Sequence, residues 1–131
     1  MAFGTGTVVT NTGRSMLIDR LKSNPITFTS GPKMMAMGVG ATGANRTAAV
    51  TDIALSSEIE TRTSGVEQST TTTVFNDTYE VTGAISASSL RNVDEAGLFD
   101  SSNNMFTSAT FTPFTLNPGD SINFTWLVQL V

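Results

Sequence analysis

The chain has 131 residues, a mass of 13.8 kDa, a net charge of −4 and a pI near 4.5, which is one domain's worth of polypeptide without the basic excess that phosphate binding draws on. Cysteine and histidine are both absent, which excludes disulfides, thiol nucleophiles, zinc sites of the usual ligand sets and the commonest general base. Charged residues make up only 14%, whereas 22 Thr and 14 Ser exceed a quarter of the chain, a composition that favours pleated strands over helices.

In chain order, Phe3, Gly4, Thr5, Gly6, Thr7, Val8 and Val9 are too glycine-rich for a core helix, so residues 1–9 are expected to form an extended N-terminal arm or edge strand. Residues 10–131 then form a single β-rich domain. Thr10, Asn11 and Thr12 offer N-caps for one short amphipathic helix over residues 12–22, with Met16, Leu17 and Leu21 on its apolar side, and Asn24-Pro25 ends it. Residues 26–29 predict a short strand, Ser30-Gly31-Pro32 a turn, and residues 33–39 a methionine-rich strand. Residues 40–54 read as a small, polar loop, with one helical turn near residues 51–55.

A two-residue alternation places a strand around Ile59, Thr61 and Thr63. Residues 69–75 and 78–86 flank Asn76-Asp77 and predict a hairpin. Residues 92–100 and 105–111 form strands on either side of a turn at 101–104. Ile122, Phe124, Trp126, Val128 and Leu130 alternate with polar and apolar neighbours in the clearest strand of all. Seven or eight strands with one early helix predict a mainly β fold, an antiparallel β-sandwich or jelly-roll-like domain with one short N-terminal helix.

Candidate sites are few. Gly38-Val39-Gly40-Ala41-Thr42-Gly43 satisfies the dinucleotide pattern G-x-G-x-x-G, with Glu58 and Glu60 downstream, yet residues 44–50 lack the apolar stripe of the helix such a site needs. A glycine-rich connecting loop is the expectation, with glycine supplying positive φ, and no cofactor. Asp94, Glu95 and Asp100, near Asn103 and Asn104, could form an acid-base or calcium set, but turns in which Asp and Asn bond their own backbone are the simpler reading. Glu95 is expected to form a structural ion pair with Arg62 or Arg91, or to face water. Met34, Met35 and Met37 point to an adaptable core or contact surface, without the His or Cys of a copper site. No metal site and no catalytic residues are expected. No run of residues is long and apolar enough to cross a bilayer, and the first nine residues have no secretory pattern, so synthesis in a cytoplasm without export by the general route is expected. The triplets at Asn45, Asn76 and Asn123 are attributed to chance in so threonine-rich a chain.

The order of landmarks resembles a family. Val9-Thr10-Asn11-Thr12-Gly13, then Pro32 to Gly40, Ala49 to Leu55 with Glu58 and Arg62, Asn76-Asp77-Thr78-Tyr79, Glu95 to Asp100, Phe111 and Pro118 to Ile122 resemble small structural proteins of tailed bacteriophages. The resemblance spans nearly the whole chain. It implies a non-enzymatic virion component, either a capsid decoration (cement) protein on the head exterior or a tail- or fibre-associated protein. The implied partners are the major capsid protein or another virion protein, together with further copies of the chain in a homo-oligomer, a trimer being favoured; neither nucleic acid nor membrane is implied. Physically, an arm made of residues 3–9 that pairs across a subunit boundary would satisfy backbone groups otherwise left to water, so those residues are the expected interface. A carbohydrate-binding β-sandwich is the competing class, but only Tyr79 and Trp126 combine a ring with a polar handle, and Trp126 lies on the core face of its strand.

Overall fold

A computed structural model describes residues 7–22, 28 and 30–131. Two antiparallel sheets face each other with one short helix at the N-terminal side, the mainly β sandwich that the composition predicts. The elements are β1 (Thr7–Val9), α1 (Asn11–Arg20), β2 (Met34–Gly38), β3 (Glu58–Ser64), β4 (Val66–Thr70), β5 (Thr78–Ser86), β6 (Arg91–Phe99), β7 (Met105–Leu116) and β8 (Ser121–Gln129). The larger sheet has the order β1-β7-β6-β2-β3 and the smaller one β4-β5-β8. The strand expected at 26–29 and the helix stop at Asn24-Pro25 lie outside the described residues, apart from Phe28, which is not in a strand.

Alternation decides which side chains meet between the sheets. Met35 and Met37 of β2, Ala96 and Leu98 of β6, and Ala109 of β7 pack against Val81, Ile85, Trp126 and Val128 of the smaller sheet in one cluster. Phe106 joins this cluster at a register shift between β6 and β7 and meets the Tyr79 ring edge-on at 6.1 Å. The methionines expected in a core or contact surface are core: Met35 and Met37 are fully buried.

Helix α1 is capped by Thr10, whose hydroxyl accepts from the Gly13 N–H at 2.9 Å and donates to the Met105 carbonyl at 2.6 Å, tying the helix start to β7. A Cβ at Gly13 would collide with the Phe106 carbonyl, so glycine lets the first turn lie directly on the strand. The buried face runs through Gly13, Met16 and Asp19. Leu21, expected on that face, is 82% exposed because the helix ends at Arg20 and Leu21 is its C-cap.

Besides the helix, which spans Asn11–Arg20, and β7, which runs on to Leu116, two segments differ from the sequence reading. No helical turn forms at residues 51–55: an Asp52 N–H to Ala49 carbonyl bond closes a single turn there, and the segment runs on irregularly. The hairpin is not turned tightly by Asn76-Asp77 but by a seven-residue loop, 71–77, because β4 begins at Val66 and stops at Thr70. Asp77 organises that loop by accepting N–H bonds from Thr72, Thr73 and Val74 at 2.9 to 3.1 Å, which leaves Val74 and Phe75 outside.

Candidate functional site

The seven residues expected as an arm divide. Phe3, Gly4, Thr5 and Gly6 lie outside the described residues. Thr7, Val8 and Val9 form β1, paired with Ala109, Ser108 and Thr107 of β7, and Val9 is fully buried in this chain's own core.

The three carboxylates Asp94, Glu95 and Asp100 are not brought to one place. Asp100 closes the turn after β6, accepting from the Ser102 and Asn104 N–H groups at 2.9 and 2.8 Å and from the Asn104 amide at 2.9 Å, as the turn reading expects. Asp94 and Glu95 hold something larger. On the side of the larger sheet away from the smaller one, the segment between β2 and β3 folds back over the strands as an irregular third layer. The sheet makes room for it with small residues, Ala36 and Gly38 of β2 and Gly97 of β6.

This layer is fastened mainly by carboxylates. The β6–β7 register shifts opposite Asp94, and there both neighbouring acids reach the segment. Asp94 accepts from the Ala41 and Thr42 N–H groups at 3.1 and 2.8 Å. Glu95, fully buried, accepts from the Ser57 N–H at 3.0 Å and from Arg46 Nη2 at 2.6 Å. Arg46 also donates through Nη1 to Asp52 at 2.7 Å and through Nε to the Ser56 hydroxyl at 2.8 Å. Asp52 in turn accepts from the Ser108 hydroxyl of β7 at 2.7 Å and the Ala49 N–H at 3.0 Å. Burial would pull the Arg46 pKa down, but the hydrogen bond to Glu95 and the charges of Asp52 and Glu95 outweigh it, so the guanidinium is held more firmly protonated than usual. Leu55 plugs the layer against Phe99, Met105 and Ala36, and the Arg62 guanidinium lies 3.7 Å from the centre of the Phe99 ring.

The ion pair expected at Glu95 therefore exists, but with Arg46. Arg62 and Arg91 are taken elsewhere: Arg62 grips Glu58 with two bonds of 2.9 Å, and Arg91 donates to Glu60 at 2.9 Å. Glu60 sits at a bulge of β3 with φ +61°, and its carboxyl is held below the usual range by the Ser88 N–H and by Arg91. Arg46 and Asp52 were not singled out by sequence reading. The available signal was Glu95 itself, a carboxylate next to the small and apolar run Ala96-Gly97-Leu98-Phe99, which calls for a counter-charge without saying which.

The pattern Gly38 to Gly43 is the entrance to this layer. Gly40 has φ +91°, as a loop reading expects, and a Cβ on Gly38 would lie 2.5 Å from Glu95 Oε1 and 2.8 Å from the Ser57 carbonyl. Glu58, the cross-strand partner of Gly38, binds Arg62, and Glu60 binds Arg91 and Ser88, so both carboxylates are engaged within the chain.

Two surface features remain. A groove of about 480 Å³ runs between α1 and β4, lined by Met16, Leu17, Arg20, Pro32, Glu67, Tyr79 and Phe106 among others. The Tyr79 hydroxyl lies 3.0 Å from both the Pro32 carbonyl and Glu67, and burial followed by that carboxylate raises its pKa. At one end of the smaller sheet, the Leu130 N–H bonds the Asp77 carbonyl and the Gln129 amide bonds Thr73, which brings the exposed Val74 and Phe75 to the same end as the exposed Leu130 and Val131. Among the described residues no three acidic side chains are grouped as metal ligands, and no helix is long and apolar enough to cross a membrane. Comparisons with family models, with curated proteins and with solved structures return no match to the chain.

Proposed function

We propose that the chain is a structural component of a bacteriophage virion, in first place a decoration (cement) protein that sits on the head and bridges subunits. The observation that carries this reading is the use to which the acidic landmarks are put. Asp94 and Glu95 join segments distant in sequence, Asp100 closes a turn, and Asp52 ties the third layer to β7. Carboxylates so engaged make a scaffold that resists deformation, which suits a part whose task is to hold a shell together. Val74, Phe75, Leu130 and Val131, all exposed at the same end of the smaller sheet, support a protein partner, since exposed apolar groups gathered in one region mark contact surfaces.

The structure refines how the arm is tested. Removing residues 1–9 would take Val9 out of the core, so the informative truncation removes residues 1–6 and keeps β1. Full-length protein added to heads that lack it is expected to decorate them at regular positions in electron micrographs, and the chain starting at Thr7 to fold normally but bind more weakly. Binding at the tail tip or tail tube instead would establish the tail-associated alternative. Indifference to every part of the particle would overturn the virion reading.

A further inference from the structure

Among the described residues the two sheets end in four edge strands, and three of them are blunted or short. β3 is bulged opposite Ala36, bends through Glu60 at φ +61° and carries Glu58, Glu60 and Arg62. β4 has five residues with Glu67 among them, and β1 has three described residues. Bulges, charges and shortness are the means by which a sheet edge is kept from pairing with another chain.

β8 has none of these. It is nine residues long, pairs with β5 in unbroken register from Ser121 to Gln129, and from Ser121 to Val131 the chain carries no charged residue. The ladder's phase follows from its two ends. The Ala87 N–H bonds the Asp120 carbonyl at 2.8 Å and the Leu130 N–H bonds the Asp77 carbonyl at 2.9 Å, so the even-numbered residues of β8 face β5. The N–H and C=O groups of Ser121, Asn123, Thr125, Leu127 and Gln129 then point outward, and among the described residues they have no partner. Leu127 is 51% exposed beside them.

We propose that β8 is a self-association edge that pairs with β8 of a second copy, antiparallel about a two-fold axis at Thr125. In that register Ser121 lies opposite Gln129 of the second copy, Asn123 opposite Leu127, and Thr125 opposite Thr125. All five outward-facing residues are used, giving about ten backbone hydrogen bonds and one continuous six-stranded sheet. A second copy is the occupant the sequence favours, because an antiparallel pair of identical strands is self-complementary and an uncharged strand meets no repulsion from itself. The interface is isologous and closes at two copies, in place of the three expected from the resemblance, and the inference stands independently of the virion reading.

Charge exchange at the axis tests it on the full chain. The unaltered protein is expected to sediment as a dimer within the range of about 1 to 100 µM, as befits a small edge contact. Thr125→Lys and Thr125→Glu each place like charges on the axis and are expected to weaken the dimer about tenfold or more. Mixed in equal amounts they are expected to regain the dimer, with a native mass equal to one Lys and one Glu chain. Thr125 is exposed, so both variants are expected to keep the circular dichroism of the parent. Should one not, Thr125→Pro removes a single outward N–H that no internal bond uses and gives the same readout. A protein that is monomeric throughout the range, a dimer or trimer indifferent to both charges, or a mixture that fails to reassociate would overturn the proposal.

Discussion

The two faces of the larger sheet are covered in opposite ways. Toward the smaller sheet, Met35, Met37, Leu98 and Ala109 meet Val81, Trp126 and Val128, and cohesion there is apolar burial that any residues of similar volume could supply in part. Away from it, an irregular segment lies on Ala36, Gly38 and Gly97 and is fastened by Asp94, Glu95, Arg46 and Asp52. An irregular segment laid on a sheet brings N–H groups that no ladder satisfies, and the carboxylates of β6 accept several of them. The first face depends on volume and fit; the second depends on particular polar atoms being in place.

The largest expected effect separates the faces. Glu95→Ala leaves Arg46 and the Ser57 N–H without their buried acceptor and is expected to cost about 3–5 kcal/mol in chemical denaturation. Met37→Ala, on the opposite face, is expected to cost about 2–5 kcal/mol by cavity formation. Amide exchange distinguishes them beyond their size: Glu95→Ala is expected to deprotect residues 41–57 locally, whereas Met37→Ala lowers protection across both sheets. Equal local deprotection in the two variants would erase the distinction drawn between the faces.

A smaller effect of opposite sign is expected from Thr107→Val. The Thr107 hydroxyl is buried on the apolar face without a partner, so replacing it by a methyl of similar shape is expected to leave stability unchanged or raise it by up to about 1 kcal/mol. A clear loss in thermal unfolding would mean that the apolar face also relies on polar fastening.

The smallest effect sharpens the comparison by moving the same device into water. Asp77 clamps the 71–77 loop through N–H bonds from Thr72 and Val74 first, with Gln129 and Thr78 adding to them, and these hold its carboxyl well below the usual range. A depressed folded pKa contributes stability that is fully present above the unfolded value, near 4, and is lost as pH falls from there through the folded value. Resonances of residues 72–77 are therefore expected to change only in strong acid, while global unfolding follows the loss of other interactions. Titration of Asp77 in the usual carboxylate range would show that the clamp is not formed in solution.

Much of the fold was legible because it rests on local rules. Alternation along Ile122 to Leu130 marks β8, the N-cap candidates Thr10, Asn11 and Thr12 mark the start of α1 to within two residues, and the methionine run marks β2. The hairpin was misplaced because Asn76-Asp77 carries turn chemistry wherever it stands, while β4 is a polar strand, Val66-Glu67-Gln68-Ser69-Thr70, whose place is set by pairing with β5 rather than by its own pattern. The fastening of the third layer is legible only in part: the sequence leaves Glu95 between an ion pair with Arg62 or Arg91 and exposure to water, and reaching Arg46 requires knowing that residues 40–57 fold back over β6.

By itself the sequence determined the class of the molecule, since threonine-rich alternation without heptads or helix formers commits a chain of this length to sheets with an apolar seam between them. Only the tertiary structure decided which face each carboxylate serves and, among the described residues, which strand presents an open edge. Those outcomes depend on register and on contacts between residues some fifty positions apart, such as Arg46 and Glu95 at a separation of 49. Local preferences carry no information about such contacts until the sheets have assembled.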